Sequence, residues 1–182
     1  MGSFALLVGT LISMFTFVGL VWSIFVPRHR VWPPDHYTKL TPWLVWIPTF
    51  ALTLCLIFIG LDGWNEWHLL SALRFALGLP LIVLGTAGVW FHVWVFGIHK
   101  TGGSEGTLET RYLYRFSRNP QYVSDVLITV GWVLLSANTD VLILGVFATA
   151  ILVVAPFAEE PWLENRYGAV YREYRQRTRR FF

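Results

Sequence analysis

Long stretches without a charged side chain divide this sequence. No charged residue falls within residues 2–26, 42–61, 75–98 or 141–158. A helix needs about 20 apolar residues to cross a hydrocarbon core of about 30 Å, and the segments 4–26, 43–61 and 75–98 satisfy that length. The pattern therefore predicts three membrane-spanning helices in the first half of the chain.

The region after residue 120 predicts a helical hairpin. Asp125 stands near its start, and the polar tripeptide 138–140, Asn-Thr-Asp, interrupts it in the middle. Because these residue types favour turns, we predict two helices, over 120–137 and 141–158, joined by a tight turn. The expected fold class is all-α, a polytopic membrane protein with about five transmembrane helices.

An amphipathic helix is predicted in the C-terminal tail, over residues 161–177. Apolar and aromatic side chains recur there with helical spacing, at Leu163, Tyr167, Val170, Tyr171 and Tyr174. Charged residues such as Glu164 and Arg172 fall on other faces, which is typical of a helix that lies on a membrane or docks against one. The alternative is a plain surface anchor.

Composition and charge support a membrane protein with a defined orientation. Only 14% of the residues are charged and the mean hydropathy is +0.53, whereas a soluble domain has about 25% charged residues. All Lys and Arg residues except Arg74 lie in the segments 27–42, 99–121 and 159–182. Basic residues stay on the cytoplasmic side, so we predict an external N-terminus and a cytoplasmic C-terminus, in a bacterial inner membrane.

Several protein classes are excluded by the same observations. The single cysteine, Cys55, can form neither an internal disulfide nor a thiolate metal cluster, so we expect no metal. The charge pattern is incompatible with a disordered chain or an ordinary cytosolic enzyme. Anchoring against anionic lipid accounts for the basic residues, and we therefore expect membrane lipids rather than nucleic acid as partners.

The sequence Arg118-Asn119-Pro120-Gln121-Tyr122 predicts a helix start at the membrane surface. Proline is favoured at the first helical position and asparagine is a good N-cap. A helix N-terminus offers unpaired backbone N–H groups and the positive end of the helix dipole, which suit a carboxylate or phosphate. The alternative is a cap beside lipid headgroups, with Arg118 contacting phosphate.

Two adjacent carboxylates, Glu159 and Glu160, directly follow the fifth predicted helix. Adjacent residues on a helix point about 100° apart, and Pro161 disfavours helical geometry at Glu160, which would turn that side chain aside. A carboxylate pair at the membrane edge suits a cationic ligand group. The alternative is a solvated helix end that pairs with tail arginines such as Arg166.

Asp125 lies one turn inside the fourth predicted span. An unpaired carboxylate is costly at that depth, so we expect Asp125 to face the protein interior and to have a partner. The alternative is a shallow position from which the side chain reaches the water of the headgroup region.

The order of these features resembles the isoprenylcysteine carboxyl methyltransferase and phospholipid methyltransferase superfamily, integral membrane enzymes that use S-adenosylmethionine. The resemblance covers about residues 99–181. It rests on an aromatic basic loop, the Arg-Asn-Pro-x-Tyr sequence, a membrane hairpin, the Glu-Glu pair and a tail that contains Leu163, Tyr167, Gly168, Tyr171 and Tyr174. Arg111 departs from the common pattern because it replaces a glycine, whereas Asn119 in place of a histidine is within the range of the family.

This resemblance implies a set of site residues. Those implied to bind the cofactor S-adenosylmethionine are His99, Tyr112, Arg118, Asn119, Pro120, Tyr122, Glu159 and Glu160. Those implied to be catalytic are Asp125 and Glu160. Residues 1–98 would form three N-terminal transmembrane helices, and residues 99–182 a cofactor-binding loop, the hairpin and the cytoplasmic tail, as one integrated domain.

The expected function is methyl transfer to a lipophilic or small membrane-accessible acceptor, through a carboxyl, amine or thiol group that the sequence does not identify. One alternative is a catalytically inactive relative that acts as a membrane interaction protein. A haem protein is disfavoured because His92 and His99 lie on one helix, about 10 Å apart. A sterol reductase is disfavoured because the chain is too short for both a sterol and NADPH.

Overall fold

A computed structural model of the protein describes residues 2–34, 36–101 and 107–181, with the backbone alone for residues 96–101. The described chain is all-α, as predicted. Its six α-helices are α1 Gly2–Phe25, α2 Thr41–Asp62, α3 Ser71–Thr101, α4 Pro120–Ser136, α5 Thr139–Tyr167 and α6 Ala169–Arg177. Two short 3₁₀ helices, Pro27–His29 and Tyr112–Arg115, lie in the connecting loops.

Four helices of the described chain are long and apolar enough to cross a membrane, namely Gly2–Phe25, Thr41–Asp62, Ser71–Val95 and Thr139–Tyr167. Large apolar side chains such as Phe15 and Trp94 are about four-fifths exposed, as expected for surfaces that face lipid. The protein is therefore a multi-pass integral membrane protein. The fourth predicted span, α4, has only 17 residues and measures about 25 Å.

The helices pack so that their ends meet in two groups. At one end, which we call the arginine-rich end, Trp32 contacts Glu159, and Arg118 contacts Glu160. At the opposite end, the Gly63 carbonyl accepts a hydrogen bond from Asn138. Since α4 begins at the first group and ends at the second, it runs the full height of the bundle despite its shorter length.

The α4–α5 connection is tighter than predicted. We expected the tripeptide 138–140 to form the turn, but α5 already begins at Thr139. Ala137 adopts a left-handed conformation with φ of 48°, and the Asn138 side chain accepts a hydrogen bond from the Val141 N–H at 2.9 Å. Asn138 therefore acts as the N-cap of α5, so the turn needs only two residues.

The prediction for the tail is corrected in two respects. Helix α5 continues through Pro161 to Tyr167 instead of ending at residue 158, because neighbouring packing allows proline within membrane helices. The predicted tail helix 161–177 is broken at Gly168, whose φ of +57° favours glycine. The tail helix α6 is therefore short, and two of its side chains, Tyr171 and Tyr174, are buried.

Arg74, the exception among the basic residues, has a structural role at the opposite end. Its guanidinium is 3% exposed, donates from Nε to the Leu135 carbonyl at 2.9 Å, and lies 4.4 Å from the centre of the Trp64 ring. The carbonyls in the last turn of a helix have no partner within the helix, and a cation near them is favourable. Arg74 thus caps α4 and ties it to α3.

Helices α3 and α4 approach each other through glycine. A Cβ atom on Gly131 would lie 2.7 Å from the Gly78 carbonyl oxygen, whereas a Cβ on Gly19 would have Val31 as its nearest neighbour at 3.9 Å. We expect Gly131→Ala to lower the free energy of unfolding by about 1–3 kcal/mol through overpacking, with Gly19→Ala as the tolerated control. Thermal unfolding in detergent measures both, and equal effects would contradict this close packing.

Candidate active site

The start of α4 differs from a simple capped helix. Pro120 is its first residue and Asn119 occupies the N-cap position, as predicted, but the Asn119 side chain makes no capping bond. Its Nδ2 donates instead to the Arg180 carbonyl at 3.1 Å. The backbone N–H groups of the first turn therefore have no side-chain cap, and this end of the helix can receive an anionic group.

Arg118, Glu160 and Arg180 form an ion cluster beside this helix start, in which the side chains of Arg118 and Glu160 are buried and that of Arg180 is partly exposed. Glu160 Oε1 accepts from Arg118 Nη2, and its Oε2 accepts from Arg180 Nη2, both at 2.8 Å. Arg118 Nη1 also donates to the Thr178 carbonyl at 2.7 Å. Hydrogen bonding to Glu160 raises the pKa of Arg180. The cluster thus fastens the C-terminal segment 178–180 to α4 and α5.

Glu159 points elsewhere than its neighbour. Its Oε1 accepts a hydrogen bond from Trp32 Nε1 at 2.6 Å and another from the Tyr122 hydroxyl. The second oxygen, Oε2, has no hydrogen-bond partner within the described part of the chain. Because α5 continues as a helix here, the two carboxylates diverge, and only Glu159 lines the cavity described next.

A cavity of about 440 Å³ opens from the arginine-rich end into the bundle. Its polar part, which we call the chamber, includes Glu109, Tyr114, Asn119, Tyr122, Glu159 and Tyr171. Its apolar part, which we call the groove, runs between α1, α2 and α5 along Phe15, Leu20, Leu44, Pro48, Ile151 and Leu152. Small-molecule sites typically have volumes of about 300–1,000 Å³, so this cavity can hold a cofactor-sized ligand.

The structure brings together only some of the residues predicted to form the site. Arg118, Asn119, Tyr122 and Glu159 line the cavity. Pro120 starts α4 beside it, and Glu160 belongs to the ion cluster behind it. Three predicted site residues remain, namely His99, Tyr112 and Asp125. The His99 side chain lies outside the described residues.

Tyr112 and Asp125 do not line the cavity. Tyr112 is half-exposed and packs edge-on against Phe91, with ring centres 5.8 Å apart. Asp125 is half-buried on α4, and neither residue is among those that the structure places around the cavity. The expected partner of Asp125 is not found as a hydrogen bond to a described residue.

Other residues of the chamber were not recognised from the sequence as parts of a site. The His92 Nε2 lies 2.8 Å from the Tyr114 hydroxyl, and the Tyr174 hydroxyl donates to the Tyr114 carbonyl at 2.7 Å. Burial raises the pKa of Tyr114, so this phenol stays protonated. A histidine inside an apolar span was the available signal, but its phenol partner is separated from it by 22 residues.

The described residues do not form a metal centre. Across residues 2–34, 36–95 and 107–181, no group of three or more His, Cys, Asp or Glu side chains is arranged to hold a metal ion. In that part of the chain, the ligand-binding chemistry of the chamber comes from carboxylates, phenols, an indole N–H and backbone amides.

These observations define a class of protein, a multi-pass membrane protein with a polar chamber that continues into an apolar groove. The family model for phospholipid methyltransferase matches residues 73–170, which is more than half of the chain. The chain belongs to this family, and the resemblance inferred from the sequence is confirmed. The match extends to α3, beyond the region on which the resemblance rested. Comparisons with curated proteins and with solved structures gave no match.

Proposed function

We propose that the protein is a membrane-embedded methyltransferase that transfers a methyl group from S-adenosylmethionine to a lipophilic acceptor. The observation that carries this proposal is the continuity of the chamber with the groove. A polar cofactor and an apolar acceptor must meet within bonding distance, and one cavity with two such parts supplies that meeting place. Membership of the phospholipid methyltransferase family supports both the reaction class and a lipid acceptor.

The residues of the chamber fit the proposed cofactor. S-adenosylmethionine carries a carboxylate, an ammonium group, ribose hydroxyls and a sulfonium. The uncapped start of α4 suits the carboxylate, and Glu159 suits the ammonium or the hydroxyls. Trp32 and Tyr122 fix the orientation of Glu159, which therefore receives the ligand without rearrangement.

The chemistry requires little from the protein beyond positioning. S-adenosylmethionine, when bound, supplies a methyl group on a positively charged sulfur. The groove would align the acceptor with the chamber, and the walls formed by α1, α2 and α5 would exclude water. We assign Glu160 a positioning role through Arg118 and Arg180. A catalytic role for Asp125, and cofactor contacts by His99 and Tyr112, stay predictions.

Isothermal titration of the detergent-purified protein with S-adenosylhomocysteine, the demethylated product, tests the cofactor site. We expect saturable binding at one site per chain. Folded protein that does not bind this ligand would contradict the proposed function.

We also propose that the arginine-rich end faces the cytoplasm of a bacterial cell. The contact between Trp32 and Glu159 places the basic loop 27–40 at the same end as the tail arginines, which supports the orientation from loop charge. A green fluorescent protein fused after the C-terminus is expected to fluoresce, and alkaline phosphatase fused at the same point is expected to be inactive. The reverse pair of results would overturn the orientation.

A further inference from the structure

The hydroxyl of Tyr171 is an unusual feature of the chamber. Tyr171 is 1% exposed and lines the cavity, yet its hydroxyl has no hydrogen-bond partner within the described part of the chain. Its neighbour on α6, Tyr174, uses its own hydroxyl to bond the Tyr114 carbonyl. A buried polar group without a partner costs about 1–3 kcal/mol, so a ligand that bonds this hydroxyl would gain from the contact.

Tyr171 is a hydrogen-bond donor that lies close to guanidinium groups as well as carboxylates. The ion cluster of Arg118, Glu160 and Arg180 contains two cations and one carboxylate, and therefore has a net charge of +1 in its fully ionised form. Four charged groups act electrostatically on Tyr171, the carboxylates of Glu160 and Glu159 and the guanidiniums of Arg118 and Arg175. Burial raises the pKa of Tyr171, so the phenol keeps its proton and remains a hydrogen-bond donor.

The uncapped first turn of α4 lines the same cavity through Gln121 and Tyr122. Its N–H groups add the partial positive charge of the helix dipole. Two carboxylates line the cavity among the described residues. Glu109 is paired with Arg111, whereas Glu159, on α5, lies beside the first turn of α4 through its bond to Tyr122. The chamber thus presents donors on one side and a carboxylate on another, as a zwitterion requires.

We propose that Tyr171 and the first turn of α4 form a subsite for the carboxylate of the amino-acid end of the cofactor, with its ammonium group at Glu159. This inference rests on the proposed function, because it assigns one end of the same ligand. It makes Tyr171 a ligand-binding residue and orients the cofactor with its amino-acid end toward the ion cluster.

Two ligands separate this contact from other effects. S-adenosylhomocysteine contains the amino-acid end, whereas 5′-methylthioadenosine has the same nucleoside and a thioether sulfur but lacks that end. Isothermal titration of wild type and Tyr171→Phe with both ligands is the test. We expect Tyr171→Phe to weaken S-adenosylhomocysteine binding about tenfold or more and to change methylthioadenosine binding less than about twofold.

Stability provides a second readout. Tyr171→Phe removes an unpartnered buried hydroxyl, so the unfolding temperature of the ligand-free variant should equal or exceed that of the wild type. The matched control is Tyr174→Phe, which removes a bonded hydroxyl. It should lower the unfolding temperature.

The outcomes are distinguishable. If Tyr171→Phe lowers the affinity for both ligands equally, or for neither, the subsite at Tyr171 is overturned while the cofactor site stays intact. A wild-type protein that binds neither ligand would instead overturn the proposed function. The ratio of the affinities for the two ligands is measured within one variant. A partly unfolded preparation therefore affects both ligands alike and leaves this ratio unchanged.

Discussion

Glu160→Ala is expected to lower the free energy of unfolding by about 3–5 kcal/mol. The substitution leaves the guanidiniums of Arg118 and Arg180 without their shared carboxylate, and Arg118 is buried with Glu160. An uncompensated charge at such a site is more costly than an absent ion pair. The segment 178–180 should also detach from the start of α4. Denaturant or thermal unfolding in detergent measures the loss.

The matched control for this prediction is Glu173→Ala. Glu173 pairs with Arg177 at the same 2.8 Å distance, but both side chains are about two-thirds exposed. Exposed ion pairs contribute less than about 1 kcal/mol, so we expect a change within that range. Similar losses at Glu160 and Glu173 would show that the cluster does not hold the C-terminal segment.

Glu159→Gln is expected to weaken binding of S-adenosylhomocysteine between about tenfold and a hundredfold with little loss of stability. The amide oxygen can still accept the bonds from Trp32 and Tyr122, so the local structure is retained. What is lost is the negative charge that faces the ligand ammonium, and hydrogen bonds to charged groups contribute about 1.5–3 kcal/mol. Isothermal titration and thermal unfolding, measured together, separate these effects.

Glu164→Gln serves as the control for Glu159. Glu164 lies on the same helix, pairs with Arg175 at 2.8 Å, and is not among the described residues around the cavity. Its substitution should leave the affinity unchanged. An affinity for Glu159→Gln equal to that of the wild type would remove Glu159 from the cofactor site.

Much of the architecture could be predicted because membrane helices have a strong local signal. The absence of charge over about 20 residues predicts α1, α2 and α3 without knowledge of their partners. The helix ends near proline and glycine differ from the prediction. Pro161 lies inside α5 because tertiary packing overrides its local preference, and the helix ends before Gly168 instead.

Prediction of the candidate site from the sequence has a similar limit. The sequence identified Glu159 and Glu160 as a pair, but their different roles depend on Trp32, 127 residues from Glu159 in the chain, and on Arg180 at the C-terminus. Tryptophan commonly lies at the membrane interface, and no local pattern around Trp32 indicates a contact with Glu159. Contacts of such sequence separation leave no periodic pattern, so only the folded arrangement reveals them.

Methyl transfer into lipid is the measurement that tests the central claim most directly. Purified wild-type protein and Glu159→Gln would be reconstituted into vesicles of a total bacterial lipid extract and incubated with S-adenosylmethionine that carries a radiolabelled methyl group. We predict label in the organic phase for the wild type and a loss of at least tenfold for the variant at limiting cofactor. Wild-type protein that binds S-adenosylhomocysteine yet transfers no label to any lipid would contradict the account.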